Sequence, residues 1–456
     1  MTYFFIAIVC TLISAKLFSK ASGSISIYRP NMMAVVFYFY LVLENVVGAV
    51  LVVNHLDDHY ILNKMSNDIY RYYGFWTIMY TLVAFPIGQM IANSLWGWRR
   101  MDVVYLQYLS RPLVDEPRFP KTIKKMFIAL SILSMLAVFY TLSEIGGSPL
   151  SRIFGGLDAL AIATMRSEAS RGFLGNQYIR NIFGLQLTPF LSYIAYAYYR
   201  LTRTSVNRFW FMAMVVCSVL ILTYDLSKSP ILWYILSFLF FWVYEGNAIP
   251  KRVLFIVGGI MVLLVVAIYI LLMQVDLDSL LLFNQGIIGR LTLSSSAGVF
   301  VTFDVFDTHN HLGFSSFSQF LSQCIGVPYS ERSARIIMEQ FNPSGIAAGV
   351  AGVMNALFVA EGYANWGMMG LLLSPLYVGF IIQVFYLFFL SKPKTPFFMS
   401  LMVTYTISSA INGGVNDYIY NPTTVIMMVL YFFIYKLVCV PKKYEKNYHS
   451  LSVQDP

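Results

Sequence analysis

The chain has 456 residues, 58% hydrophobic, 17% aromatic and only 12% charged, with a net charge of +9. A soluble domain carries about twice that charged fraction, so a chain of mean hydropathy +0.66 is read as a helical membrane protein without a soluble domain of any size. Basic runs interleaved with aromatics are absent, so no nucleic-acid partner is expected. The four cysteines, Cys10, Cys217, Cys324 and Cys439, have no metal-ligand spacing and suggest neither a zinc site nor a disulfide framework.

A membrane span needs about 20 apolar residues at helical rise. Runs of that order occur at 3–18, 32–53, 73–96, 126–143, 181–199, 209–225, 230–244, 253–273, 362–390, 395–413 and 421–438. The expected fold is therefore all-α, a single polytopic bundle over residues 1–456 with about 11 transmembrane helices. The first run lacks the basic start of a signal peptide and reads as a retained span. Connecting loops alternate between two sides. One side, with loops near 19–31, 97–125, 200–208, 245–252 and 391–394 and the C-terminal tail, holds 21 of the 31 Lys and Arg residues; the other holds 10. The positive-inside rule makes the richer side cytoplasmic, with the N-terminus outside and the C-terminus inside.

Two external loops are long, 145–180 and 274–360, and seven of the ten external basic residues lie there. Helix–helix loops are usually short, and long ones tend to carry function. Within the larger loop, residues 279–288 and 345–358 are apolar, and the apolar pattern from 345 to 390 is about twice the length of one span. Its first part reads either as a re-entrant segment packed on the bundle, where Gly349 and Gly352 permit close approach, or as a loop helix lying on the membrane.

Arg166, Arg171, Arg290, Arg332 and Arg335 dominate the charge of these loops. Arginine suits phosphate because its planar fork makes paired, charge-assisted hydrogen bonds and stays protonated. Lys228, in an external turn between two apolar runs, is at the depth of a lipid phosphate. For each of these side chains, a lipid headgroup contact or a structural ion pair is the plainer alternative. Glu361 stands at the outer mouth of a span, where an acid is a candidate general base or a carboxylate favoured by a helix N-terminus. His311 is a second candidate base. Asp304, Asp307, His309 and His311 lack the pattern that completes a metal site, and a solvated loop is the simpler reading. Asn412, Asn416, Asp417, Tyr418 and Tyr420 form another external turn, suited to sugars but also to ordinary turn geometry. A phosphate-binding Gly-rich loop, a nucleophile elbow and two matching halves with interrupted spans are all missing.

This pattern resembles the bacterial O-antigen and repeat-unit polysaccharide polymerases (Wzy type) along the whole chain. The likeness is sharpest at Ser227, Lys228, Ser229 and Pro230, in the long loop with Arg290 near its start and Gly313 midway, and in residues 360–367, Ala-Glu-Gly-Tyr-Ala-Asn-Trp-Gly. The overall plan is similar to that of polyprenyl-phosphosugar-dependent (GT-C-like) glycosyltransferases. The resemblance implies a place in the bacterial inner membrane and a role in lipopolysaccharide biosynthesis. The implied reaction transfers a growing glycan from undecaprenyl pyrophosphate to the non-reducing end of an incoming lipid-linked repeat unit on the periplasmic face, with no nucleotide, metal or other cofactor. The implied partners are the undecaprenyl-pyrophosphate-linked oligosaccharide, membrane lipids, a chain-length regulator and a flippase. The expected roles are then Glu361 or His311 as base; Arg166, Arg171, Lys228, Arg290, Arg332 and Arg335 at the pyrophosphate; and Tyr363, Asn365, Asn416 and Asp417 at the sugars. The rival readings are an O-antigen ligase and a lipid-linked oligosaccharide flippase or other transporter.

Overall fold

The computed structural model describes residues 2–147, 165, 169, 172–227, 229–273, 277–282, 286–347 and 351–438, and among these it contains helices and connecting turns but no strand. The helices are α1 (Thr2–Ser22), α2 (Met32–Val53, π-wound over Val36–Val46), α3 (Ile69–Trp96), α4 (Met101–Ser110), α5 (Pro120–Glu144), α6 (179–202), α7 (Ser205–Leu222), α8 (Ser229–Tyr244), α9 (Lys251–Met273), α10 (Ile287–Phe306), α11 (Ser333–Phe341), α12 (Phe358–Ser391), α13 (Pro396–Ser408) and α14 (Pro422–Val438), with short helical turns between them. A helix covers most of each of the eleven apolar runs. Among the described residues α1, α2, α3, α5, α7 and α12 are long and apolar enough to cross a membrane by length and composition, and α8, α13 and residues 424–438 are shorter apolar helices.

One end of the bundle is where α1 finishes, α2 begins and α3 and α12 finish. Several buried polar groups there find partners in one another or in backbone carbonyls. Gln383 Nε2 donates to the Ala21 carbonyl (2.9 Å) and to Asn93 Oδ1 (2.7 Å), and Asn93 Nδ2 donates to the Ala21 carbonyl (2.8 Å). Asn31 Nδ2 reaches the Tyr386 hydroxyl at 3.1 Å, while its Oδ1 caps α2 through Ala34 N (2.9 Å). At the same end the buried Lys394 donates to the carbonyls of Leu109 and Arg111, both at 2.8 Å.

The opposite end, where α2 finishes and α3 begins, is closed by α10. This 20-residue helix belongs to the larger loop, yet every residue from Thr292 to Phe306 except Ser294 is buried against α2, α3 and α12. Its small side chains permit that closeness, and its hydroxyls bond back to its own carbonyls, Thr292 to Ile288 and Ser296 to Thr292, both at 2.8 Å. The α2–α3 connection staples it in place. Ser66 donates to both oxygens of Asp304 (2.8 Å from N, 2.5 Å from Oγ), and the Tyr70 hydroxyl donates to Asp307 at 2.8 Å. His59 lies 3.3 Å from Ser294 Oγ, and burial pushes its imidazole down to about 4 against the pull of Asp58. Arg71 anchors the same connection through Asp57 (2.6 Å), Asp68 (3.0 Å) and the Val52 carbonyl (2.9 Å).

α12 is two helices joined at a reversal. Trp366 (φ −131°, ψ 18°) and Gly367 (φ 60°, ψ −142°) leave helical geometry. After the break the chain packs back on itself, so that a Cβ at Gly370 would strike the Gly362 carbonyl. The shorter limb therefore runs down into the bundle. At its far end, Phe358 N donates to the Ile411 carbonyl (3.0 Å), and its ring lies 6.2 Å from that of Phe85, halfway along α3. The segment 409–421, between α13 and α14, meets it there. Two irregular stretches thus face each other within the helical bundle, a placement tolerated at membrane depth only where the backbone is buried in protein or lines a cavity.

Candidate functional site

Loss of helix at residues 366–367 frees carbonyls that would otherwise be bonded four residues on. The loop after α10 takes them: Leu312 N donates to the Ala364 carbonyl (3.0 Å) and Gly313 N to the Asn365 carbonyl (2.8 Å). Gly367 has the positive φ that a side chain disfavours, and a Cβ there would also meet His311 Nε2. The reversal, the 311–316 loop and the 409–421 segment are in this way fixed around one point.

At that point lies Glu361, buried to 3% exposure. Arg332, from the turn entering α11, gives it a two-pronged bond, Nε to Oε1 at 2.7 Å and Nη2 to Oε2 at 2.9 Å. The same guanidinium reaches Asp417, Nη1 to Oδ1 at 2.9 Å and Nη2 to Oδ2 at 3.2 Å. The Asn416 backbone N–H adds a 2.9 Å bond to Glu361 Oε2. Burial opposes the charge on Arg332, but the bonds and charges of Glu361 and Asp417 outweigh it and hold the guanidinium above the ordinary arginine range. Two carboxylates against one guanidinium leave the cluster one negative charge, and Asp417 is its more open face, 36% exposed.

Asn365 and Asn416 brace the cluster from below. Asn365 Nδ2 donates to Asn416 Oδ1 (2.9 Å) and its Oδ1 accepts from Ser316 Oγ (2.9 Å), while Asn416 Nδ2 reaches the Ser316 carbonyl at 3.2 Å. Both amides are buried, so in this conformation neither faces solvent. Tyr363 points to the other side, its ring 4.5 Å from Phe303 and 5.5 Å from the exposed His311.

Five of the residues marked in the sequence, Arg332, Glu361, Asn365, Asn416 and Asp417, therefore meet in one network. Arg335 lies one turn from Arg332 but pairs with its near neighbours in sequence, Glu339 (2.8 Å) and Glu331 (3.5 Å), and donates to the Gly352 carbonyl at 3.3 Å. Arg290 is exposed in the first turn of α10, near enough to Tyr60 to act on it electrostatically. Arg166, Arg171 and Lys228 lie outside the described residues. Asp304 and Asp307 serve as the acceptors that staple α10. Among the described residues no group of three or more His, Cys, Asp or Glu side chains could hold a metal.

Two contributors carry weaker sequence signals. Gly414 sits against the ion pair, and a Cβ on it would fall on the Glu361 carboxylate and the Arg332 guanidinium. Gly414→Ala is expected to splay the pair and cost about 1–3 kcal/mol, the usual penalty for overpacking. The check is the unfolding temperature of the purified variant, and an unshifted value would mean that the 409–421 loop yields without cost. The second is Glu44, in the π-wound part of α2, whose carboxylate accepts from Asn412 Nδ2. It is the one acid in the interior of the eleven apolar runs, which marks it as a functional candidate.

Compared with family models, curated proteins and solved structures, the chain matches none.

Proposed function

We propose that the chain is a repeat-unit polysaccharide polymerase, a glycosyltransferase of the bacterial inner membrane with eleven spans, using undecaprenyl-pyrophosphate-linked oligosaccharide as both donor and acceptor. The observation that carries this reading is the convergence of Arg332, Glu361 and Asp417 on two broken-helix elements at the bundle end opposite the Lys394 cluster. That end is the periplasmic one by the positive-inside rule. A net-negative, partly open carboxylate cluster suits sugar hydroxyls and the positive charge that develops at an anomeric carbon. The pyrophosphate, gaining negative charge as its bond to the glycan breaks, needs cations. Arg290, Arg335, Arg166, Arg171 and Lys228 are the proposed suppliers. Arg332 then acts by positioning Glu361 and Asp417, and Asn365 and Asn416 hold the loop that carries Asp417.

A transporter is the second reading, favoured by the broken helices and the acid within α2, both features of secondary-transport sites. The surface glycan of a strain lacking the gene separates the readings. Lipid A core bearing a single repeat unit supports the polymerase. Polymer left on its lipid with none on the surface indicates a ligase, and repeat units trapped inside indicate a flippase.

The proposed orientation gives its own prediction. Reporter fusions after residues 160 and 335 are expected to report an external position, and those after 118 and 443 a cytoplasmic one. A cytoplasmic signal at 335 would put Arg332 and Glu361 on the wrong face for a donor displayed outside. A further expectation is that the purified protein extends lipid-linked repeat units in excess chelator without added nucleotide. Loss of activity with rescue by Mg²⁺ or Mn²⁺ would overturn it.

A further inference from the structure

Resting on the polymerase reading, we propose that Glu44 is the proton acceptor of the transfer. Its carboxylate takes the proton of the acceptor sugar hydroxyl as that oxygen bonds to the anomeric carbon of the donor glycan. The bond from that carbon to the pyrophosphate oxygen breaks, and its electron pair leaves with undecaprenyl pyrophosphate.

Three observations lead there. The first is the state of Glu361: both its oxygens accept N–H donors from the protein, and its charge is matched by a two-pronged guanidinium. Three of its roughly four lone-pair sites are thus already taken by the protein. Glu44 differs on both counts. Among the described residues it is in no ion pair, and its one side-chain hydrogen-bond partner is the Asn412 amide at Oε2, which leaves Oε1 open.

The second observation is Asn45, fully buried beside it. Asn45 Nδ2 donates to the Tyr40 carbonyl (2.7 Å) and to Asn412 Oδ1 (3.0 Å), while its Oδ1 has no partner. A buried acceptor without a donor is uncommon, and a sugar hydroxyl is the kind of group that would complete it. Glu44 thus has, as its chain neighbour, a residue with a buried and unfilled acceptor.

The third is placement. Asn412, which holds Glu44, is two residues from Gly414, against which Arg332 and Glu361 lie, and two residues of chain span at most about 7 Å. One turn beyond Glu44, Gly48 abuts Ser296 of α10, and Glu44 itself is partly exposed. A sugar held by Asp417 on one side of the 409–421 segment could thus be followed by one whose hydroxyl meets Glu44 on the other.

The experiment uses the purified full chain and, as substrate, lipid-linked repeat units extracted from membranes of the deletion strain. Wild type, Glu44→Gln and Glu44→Ala are compared for polymer formation and for binding of labelled repeat unit. Gln still accepts from Asn412, so the fold is kept while the base is removed. Glu44→Gln is expected to lose about 100- to 10,000-fold in turnover, the usual contribution of a general base, with binding unchanged. Added formate is expected to restore part of the activity of Glu44→Ala, which a structural role would not allow. Wild-type turnover in Glu44→Gln overturns the proposal and leaves the polymerase standing, as does loss of binding without formate rescue. If wild type makes no polymer at all, the polymerase reading falls and this proposal with it.

Discussion

Arg332→Ala is expected to abolish polymer formation and to destabilise the protein by about 3 kcal/mol, the low end of the cost of breaking a buried ion pair. The low end applies because the Arg332 side chain is 35% exposed, so water softens the loss on its open side. On the other side is Glu361, 3% exposed, whose charge would then have only the Asn416 N–H to meet it. Arg332→Lys keeps the charge but not the fork. An ammonium cannot reproduce the four contacts now made to two carboxylates, so only part of the loss is expected to return. A paired substitution separates stability from chemistry. Arg332→Met with Glu361→Met removes both buried charges, and replacing a buried pair by apolar groups of similar volume is often neutral. That variant is expected to regain most of its thermal stability and to remain inactive. Unfolding temperature in detergent and chain length on gels supply the two readouts. Normal polymer from Arg332→Ala at matched membrane levels would remove the cluster from the function.

The helical runs were legible because a span needs a long apolar stretch, and composition alone marks it. The burial of α10 was not. Ser294, Ser295, Ser296, Gly298 and Thr302 dilute its apolar character, and only the structure shows that the Ser296 and Thr302 hydroxyls bond within the helix. The doubled length of the 345–390 pattern announced an extra element, but nothing local fixed the reversal at Trp366 and Gly367. In the site, Glu361, Asp417 and Arg332 could be marked one by one as charged groups near the bundle mouth. Their union could not, because Arg332 is 29 residues from Glu361 and 85 from Asp417. The reading of Asp304 and Asp307 as solvated loop residues has the same limit, since their partners Ser66 and Tyr70 are more than 200 positions away. Glu44 does carry a sequence signal as the lone interior acid. What no spacing rule supplies is that Asn412 reaches it from the far end of the chain.

The two carboxylates on Arg332 are expected to be unequal, and the size of the difference tests how the site is built. Glu361→Gln replaces an oxygen that accepts from Arg332 by an N–H₂ group that cannot accept. One donor is then set against another in a buried space, either at the guanidinium or at the Asn416 N–H. Leaving a buried donor unsatisfied costs about 1–3 kcal/mol, more where the lost partner is charged, so a loss near 3 kcal/mol is expected. Asp417→Asn meets the same guanidinium, but Asp417 is 36% exposed and water can replace what it loses. Its expected cost is about 0.5–1 kcal/mol, the range of solvent-exposed pairs. Double-mutant cycles against Arg332→Ala isolate each coupling. The Arg332–Glu361 cycle is expected to give about 2–3 kcal/mol and the Arg332–Asp417 cycle less than about 1 kcal/mol. Activity should order the other way relative to stability. Asp417, at the open face, is expected to lower turnover or substrate binding by more than its small structural cost accounts for. Glu361→Gln is expected to lose activity only in step with its lost stability, because Glu361 shapes the site and Glu44 takes the proton. If the two couplings are equal, the cluster is evenly solvated and Glu361 is not its buried anchor. If Glu361→Gln keeps its stability and still loses turnover, Glu361 is chemically active itself and the role assigned to Glu44 passes back to it.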